Sequence, residues 1–365
     1  MQNHGNKLLL GFLVFSFLLL LVSMVYREDP LAGLGEEVVP KENPSVGLSG
    51  EIVHKENPSA GLGEEVVHKE NPSVGLSDNV LNMNPNIMMD HFSMDTRGVL
   101  QRKISLENYD LKVEGATHWK LPGRLKEISG LAMTSDNRLL AHNDEKGIIY
   151  EIDYRKGTLI KAFQLSDMKD PVSGDFEGIA TVNDQVYLVT SSGRIYEGSR
   201  AADGESVLYN IYATGVGRDY EIEGLAHDAS KQGLLLMCKG ARKAELKERL
   251  TIYHWSINEK QLIEDAHIVI PVIDFARHIE GKEFQPSGIE RHPVSGNYFV
   301  VASRQRAIAE ITPDGQVIAV KQFPAQWHRQ TEGITFDADG ALIIADEGAG
   351  GKARLTVYPV SESQQ

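Results

Sequence analysis

Asp175-Phe176-Glu177-Gly178-Ile179 is one of five copies of a single phrase, and its recurrence decides the fold. The others are Glu127-Ile128-Ser129-Gly130-Leu131, Glu221-Ile222-Glu223-Gly224-Leu225, Gln285-Pro286-Ser287-Gly288-Ile289 and Gln330-Thr331-Glu332-Gly333-Ile334. The glycines lie 48, 46, 64 and 45 residues apart. After each come short apolar runs separated by turn residues: 130–133, 138–142, 147–153 and 158–165 in the first unit, 288–292, 297–302, 307–311 and 316–323 in the fourth. Such runs, punctuated by Gly, Asn and Asp, read as antiparallel meanders. Four strands in roughly 45 residues make one propeller blade.

The last unit offers only three runs, 334–336, 341–345 and 354–358, before the chain ends. Upstream of the first unit, residues 106–113 alternate through Tyr109, Leu111 and Val113 and supply a candidate fourth strand. Pairing the two closes the ring and hides strand edges that would otherwise face solvent. The expected fold is therefore all-β: a five-bladed β-propeller closed by an N-terminal strand. A sixth blade inside the long third unit ranks second, because the charged stretch 241–249 reads better as a loop or short helix inserted in one blade.

Ahead of the propeller, residues 8–25 carry no charge over eighteen positions, with Lys7 before and Arg27-Glu28-Asp29 after. At 1.5 Å per residue this is about 27 Å, close to a bilayer core. The early lysine favours an N-terminus on the inside. No small-x-small cleavage site and no lipid-anchor Cys follows, so an uncleaved anchor ranks above a cleaved signal peptide. Residues 28–80 then repeat with period 14, each copy opening on Glu28-Asp29-Pro30, Glu42-Asn43-Pro44, Glu56-Asn57-Pro58 or Glu70-Asn71-Pro72. Pro and Gly in every copy oppose a long helix, and units this short bury no core. The organisation expected is a transmembrane anchor over 1–26, a disordered low-complexity repeat stalk over 27–104 and the propeller over 105–365. The chain sits as a single-pass protein of the inner (plasma) membrane, with the propeller on the periplasmic or extracytoplasmic side.

The net charge is −14, and residues 27–80 hold eleven acidic and four basic side chains, hence −7 of it. The propeller is only mildly acidic, which points away from nucleic acid as a partner. Cys238 is the only cysteine, which excludes an intramolecular disulfide and a Cys-based metal site. It closes the apolar run 234–237 and reads as a buried structural thiol.

In a propeller the first strand of each blade lines the channel. The residues before the five glycines, Ser129, Glu177, Glu223, Ser287 and Glu332, therefore form a ring. Two positions earlier stand Glu127, Asp175, Glu221, Gln285 and Gln330, a possible second tier on the same strand face. Two carboxylates about 5 Å apart repel by about 3 kcal/mol at an effective dielectric near 20. Three mutual pairs approach about 10 kcal/mol, as much as a whole domain's stability. Either some protonate or a cation sits among them. Oxygen donors without His or Cys suit Ca²⁺, and Mg²⁺ less well. The plainer reading has these residues bonding neighbouring backbone or pairing with arginine, and spacing alone does not separate the two. Glu177, Glu223 and Glu332 are the metal-ligand candidates.

The ends of the second strands approach the same mouth: Asn143-Asp144-Glu145, Ser191-Ser192, Lys239-Gly240, Ser303-Arg304 and Asp346-Glu347. Asp144, Glu145, Asp346, Glu347, Lys239 and Arg304 form a rim of mixed charge, which fits an anionic ligand bridging a metal and Lys239 or Arg304, and fits a structural salt-bridge network equally well. His142 and His328 stand near enough for a base role, although packing is the commoner use of such residues. There is no Gly-x-Ser-x-Gly elbow, no phosphate-cradling Gly loop and no His-Glu-x-x-His.

The phrases Glu177-Gly178-Ile179-Ala180 and Glu223-Gly224-Leu225-Ala226, the run Asn143-Asp144-Glu145 and the closing Ile344-Ala345-Asp346-Glu347-Gly348 resemble the SdiA-regulated family over about residues 105–360. Its members are bacterial envelope proteins with an N-terminal hydrophobic segment. The resemblance implies a five-bladed propeller with a calcium site, distantly similar to NHL-repeat proteins and to paraoxonase- or gluconolactonase-type propellers. In the gluconolactonase type, metal ligands precede the strand-one Gly, which selects Glu177, Glu223 and Glu332 here. Ser129 and Ser287 stand where such sites often have Asn and Asp. No biochemical activity comes with the family. Two readings follow: a calcium-binding envelope propeller that recognises a small-molecule or protein ligand at its channel mouth, or a metal-dependent hydrolase acting on a lactone or phosphoester.

Overall fold

The computed structural model describes residues 92–94, 100–102 and 104–361, apart from 113–114, 244–245 and 282. The expected anchor and the 14-residue repeats lie outside the described residues. Among the described residues no helix is long and apolar enough to cross a membrane. Within the expected linker, Phe92–Met94 pairs antiparallel with Leu100–Arg102.

Five sheets form five blades, antiparallel throughout except where Ser206–Val207 adds a parallel edge to Thr158–Leu165 in blade one. Their inner strands are Ile128–Met133, Phe176–Val182, Tyr220–Asp228, Gly288–Arg291 and Thr331–Phe336. Each packs against the inner strands of both neighbouring blades, the fifth returning to the first. The third unit is long because Ile268–Pro271, followed by helix α1 (Val272–Ala276), adds an edge strand on Arg249–Ser256. No sixth blade is hidden there.

The ring closes differently from the sequence expectation. Thr117–Lys120 is the fourth strand of blade five, antiparallel to Arg354–Tyr358. Leu106–Asn108 is instead a single 3-10 turn. Tyr109 and Leu111 alternate because both are buried in the core between blades four and five, beside Phe299 and Phe336. Their periodicity reports packing of an N-terminal segment against the propeller, not a strand.

The core is five wedges, one between each pair of neighbouring blades. Blade four shows how one strand serves two of them. Tyr298, Val300 and Ala302 face blade three, while Phe299 and Val301 face blade five. A strand with both faces covered reads as a continuous apolar run, and Tyr298–Ala302 is buried throughout.

The repeated Gly-aliphatic pair is the pin of this arrangement. A Cβ on Gly333 would lie 2.7 Å from Leu131 Cγ, and one on Gly178 would lie 2.8 Å from Leu225 Cβ. Gly224 likewise receives Ile289, Gly288 receives Ile334 and Gly130 receives Ile179. Each glycine is thus the notch for the aliphatic residue of the next blade's phrase, around a closed circle of five.

Candidate functional site at the channel mouth

The inner strands all begin at one end of the channel, and their first residues are irregular. The ladder slips register between Ile128 and Gly130, Phe176 and Gly178, Ile222 and Gly224, and Thr331 and Gly333. The unpaired residue is each time the one before Gly. In blade four the Ser287 N–H donates to Val301 O, whose residue is also the partner of Gly288. These are β-bulges, which re-aim a side chain where pairing stops. They present Ser129, Glu177, Glu223, Ser287 and Glu332 around one axis.

At this level the channel is almost filled. A hollow of about 10 Å³ is lined by Glu177, Glu332, Ser129 and the phrase glycines Gly130, Gly178, Gly224 and Gly288, room for about one water. Burial, followed by the charges of Glu223 and Asp175, pushes the Glu177 carboxyl from 4.5 up to about 9. Burial and the Glu223 charge push Glu332 up to about 8, against the pull of Lys239 and a hydrogen bond with Ser303. Glu223 is buried, and Lys239 Nζ donates to its Oε1 at 2.6 Å. Burial opposes the Lys239 ammonium, yet the Glu223, Glu332 and Glu177 charges outweigh it and hold its pKa above the ordinary value.

The three glutamates therefore converge, and a positive charge stands among them, but it is the lysine's. The donor set, oxygen only, suits a hard cation. The arrangement does not form an ion cage: among the described residues no group of three or more His, Cys, Asp or Glu side chains is placed to hold a metal ion.

No known protein family matches this chain, and no curated protein resembles it in sequence. Among solved structures it is similar to a luciferin-regenerating enzyme (10% identity, 67% of this chain and 95% of the other, TM-score 0.44). It is also similar to a glutaminyl cyclase of Myxococcus xanthus (11%, 67% and 96%, TM-score 0.45). A Bacteroides caccae protein of unknown function shares 15% identity over 58% of this chain and 66% of its own, with a TM-score of 0.36. The likeness among these distant proteins concerns the β-propeller fold alone.

The remaining sequence candidates separate into three groups. The residues two positions before the bulge spread over the outer rim, because the bulge breaks the alternation that would stack them beneath the ring. Asp175 is exposed and accepts from Ser191 Oγ. Glu221 lies 3.8 Å from Arg242. Glu127 pairs with Lys126 and shares a hydrogen bond with Glu347. That carboxyl pair is a second centre. Burial, the Glu127 hydrogen bond and the Glu127 charge push Glu347 up to about 7. Nearby, burial raises Asp144, with Glu145 and Glu127 adding to the effect.

A second group is structural. Asp346 is buried and binds His328 Nδ1 at 2.8 Å and Thr331 Oγ1 at 3.0 Å, while His328 Nε2 meets the Tyr358 hydroxyl at 2.7 Å. His142 is fully buried, with its pKa pushed down to about 4 by burial. Cys238 is buried as well, and burial raises its thiol pKa. Last, Arg304 is exposed and makes no ion pair among the described residues, so it does not share the place of Lys239.

The bulges went unread because no residue type marks them. The one signal was the carboxylates themselves, polar side chains at the head of otherwise apolar strands.

Proposed function

We propose that this chain is an envelope propeller that recognises a ligand at the glutamate end of its channel. One observation carries the reading: three carboxylates from three blades meet around a single lysine, and two of them are pushed far above the ordinary carboxylate range. Beside them a groove of about 710 Å³ starts at Lys239 and runs past Val272, Ile273 and Phe284 to Pro286. A ligand lying there meets the Lys239 ammonium at one end and Val272, Ile273 and Phe284 along the wall, with Glu248, Arg249 and Glu283 on the same lining. A small amphiphile with a polar head fits that combination.

Calcium belongs to the same proposal as a competitor of the lysine. Oxygen donors suit Ca²⁺, and Mg²⁺ with its strict octahedral demand less well, and the ion and the Lys239 ammonium contend for Glu223. Membership of the SdiA-regulated family, single-pass anchoring in the plasma membrane through residues 8–25 and an extracytoplasmic propeller complete the reading. They are supported by the five phrases, the closing Ile344–Gly348 and the length of the apolar segment. The hydrolase alternative gains no support, since His142 and His328, the two candidate bases, are both buried.

Calorimetric titration of calcium into the chelator-treated full-length chain tests the ion. Lys239→Met is expected to tighten binding about tenfold, the effect of removing about 1.4 kcal/mol of competing charge, and Glu223→Gln to abolish it. Absence of calcium heat from wild type and Lys239→Met alike removes calcium from the reading. The recognition role is tested separately: amphiphiles that raise the melting temperature of wild type should lose that effect in Ile273→Asp.

A further inference from the structure

On the outer face of blade five a cavity of about 500 Å³ gathers Lys120, Arg329, Lys352 and Arg354 beside Trp327 and the loop Gly348-Ala349-Gly350-Gly351. None of these four cations has an ion-pair partner among the described residues. In a chain of net charge −14, such a group is conspicuous. Its carboxylates are engaged elsewhere: Asp346 with His328 and Thr331, Glu347 with Gln330 and Glu127.

The strand register sharpens the point. Lys120 and Arg354 stand directly opposite each other on the pair that closes the ring. Like charges in that position destabilise a sheet unless a counter-charge lies between them. On its other side Arg354 faces Asp346 in the ladder, but that carboxylate is turned to His328 and Thr331. The Arg354 guanidinium instead donates to Gln326 O and lies 5.7 Å from the centre of the Trp327 ring. Trp327 is held flat by His118, stacked on it at 3.8 Å. The loop of three glycines leaves one wall bare of long side chains, and Ala349 and Gly350 turn through positive φ of 40° and 88°.

We propose that this cavity binds a phosphate-rich anion, a diphosphate or a pair of phosphoryl groups. The four cations outnumber the two lining carboxylates, Asp346 and Glu347, which are already engaged, and arginine with lysine is the pairing that holds phosphate oxygens by charge-assisted hydrogen bonds. The loop lacks the Gly-x-x-x-x-Gly-Lys spacing, so charge and not motif marks the site. An anion bridging Lys120 and Arg354 also fastens the strand that closes the propeller, so binding and ring closure reinforce each other.

Inorganic pyrophosphate titrated into the full-length chain at low ionic strength tests the proposal. One equivalent is expected to bind and to raise the melting temperature. The exposed pair Arg329→Gln and Lys352→Gln, chosen because neither lies in a strand, should weaken binding at least about tenfold. Lys231→Gln, at an exposed turn of blade three, should leave it unchanged. Dioctanoyl phosphatidate, used below its micelle concentration, distinguishes a lipid source from a soluble one. Binding of either probe that is lost in the Arg329/Lys352 variant supports the site. Binding of neither, or equal weakening by Lys231→Gln, overturns it.

Discussion

The two ends of the same five strands treat buried polar groups in opposite ways. At the starting end, one residue before each phrase Gly, Glu177 and Glu332 are pushed up to about 9 and about 8. At the far end, four residues after the Gly, stand Thr134, Asp228, His292 and Asp337, and all are satisfied. Asp228 accepts from the Ser230 N–H and hydroxyl and from the Tyr298 hydroxyl of the next blade at 2.6 Å. Arg291 Nε adds an ion pair at 3.2 Å, without hydrogen-bond alignment. Burial works to raise Asp228, yet these partners outweigh it and hold its carboxyl below the ordinary range. Asp337 repeats the pattern, bonding the N–H groups of Asp339 and Ala341 and the Tyr154 hydroxyl of blade one. His292 takes the N–H groups of Val294 and Ser295 on Nδ1, with Tyr109 on Nε2. One end is a set of latches between blades. The other is left with charge that the fold alone does not settle, which is why function is sought there.

Breaking a latch should cost most. Asp228→Ala leaves the Tyr298 hydroxyl and the Arg291 guanidinium without their buried partner, and about 3–5 kcal/mol of stability should be lost. Urea unfolding reads this directly. Glu332→Gln, by contrast, should leave the midpoint unchanged or raised, because an amide replaces a carboxyl that is protonated at neutral pH. Equal losses from both substitutions would erase the distinction between the two ends.

The pH dependence separates the ends next. Glu177 has a folded-state pKa of about 9 against an ordinary 4.5. Below pH 4.5 both folded and unfolded chains carry the proton. Between pH 4.5 and 9 the folded chain keeps it while the unfolded chain gives it up, so stability falls as pH rises across that window. One such proton amounts to at most about 1.4 kcal/mol per pH unit, less with solvent screening. Asp228 has the opposite sign: its contribution is present above 3.8 and is lost as pH falls through its lowered pKa. Urea midpoints from pH 5 to 8 should decline in wild type and decline less steeply in Glu177→Gln, where Glu332 and Glu347 still contribute. A flat wild-type profile would show that the ring is not strained as described.

Much of this was legible in the sequence. The phrase announces five blades, and Thr158–Leu165 and Ala307–Ile311 fall where the apolar runs end. The convergence of Glu177, Glu223 and Glu332 followed from blade equivalence alone. What escaped depends on distance and reach. Lys239 is read on a rim because its strand ends there, but its side chain is long enough to turn back onto Glu223. The closing strand Thr117–Lys120 has no apolar alternation, since an edge strand needs only backbone partners. The latch at Asp228 required knowing that Tyr298 belongs to the next blade and points back. Each is a tertiary fact about two residues that no local pattern encodes.

The smallest expected effect concerns the rim, where Glu127 and Glu347 share a hydrogen bond between two carboxyl groups. The raised pKa of Glu347, about 7, has four sources: burial, the hydrogen bond to Glu127 and the charges of Glu127 and Asp144. Glu127→Gln removes the charge and keeps the shape. The Glu347 midpoint should then fall from about 7 towards 4.5 without reaching it, because burial remains. Carboxyl-carbon NMR titration follows this one group. Both side chains reach solvent, so the unfolding midpoint at neutral pH should barely move, in contrast to Asp228→Ala. A midpoint still near 7 in Glu127→Gln would assign the shift to burial and the Asp144 charge. The unsettled charge of this end would then reduce to the ring of Glu177, Glu223 and Glu332 around Lys239.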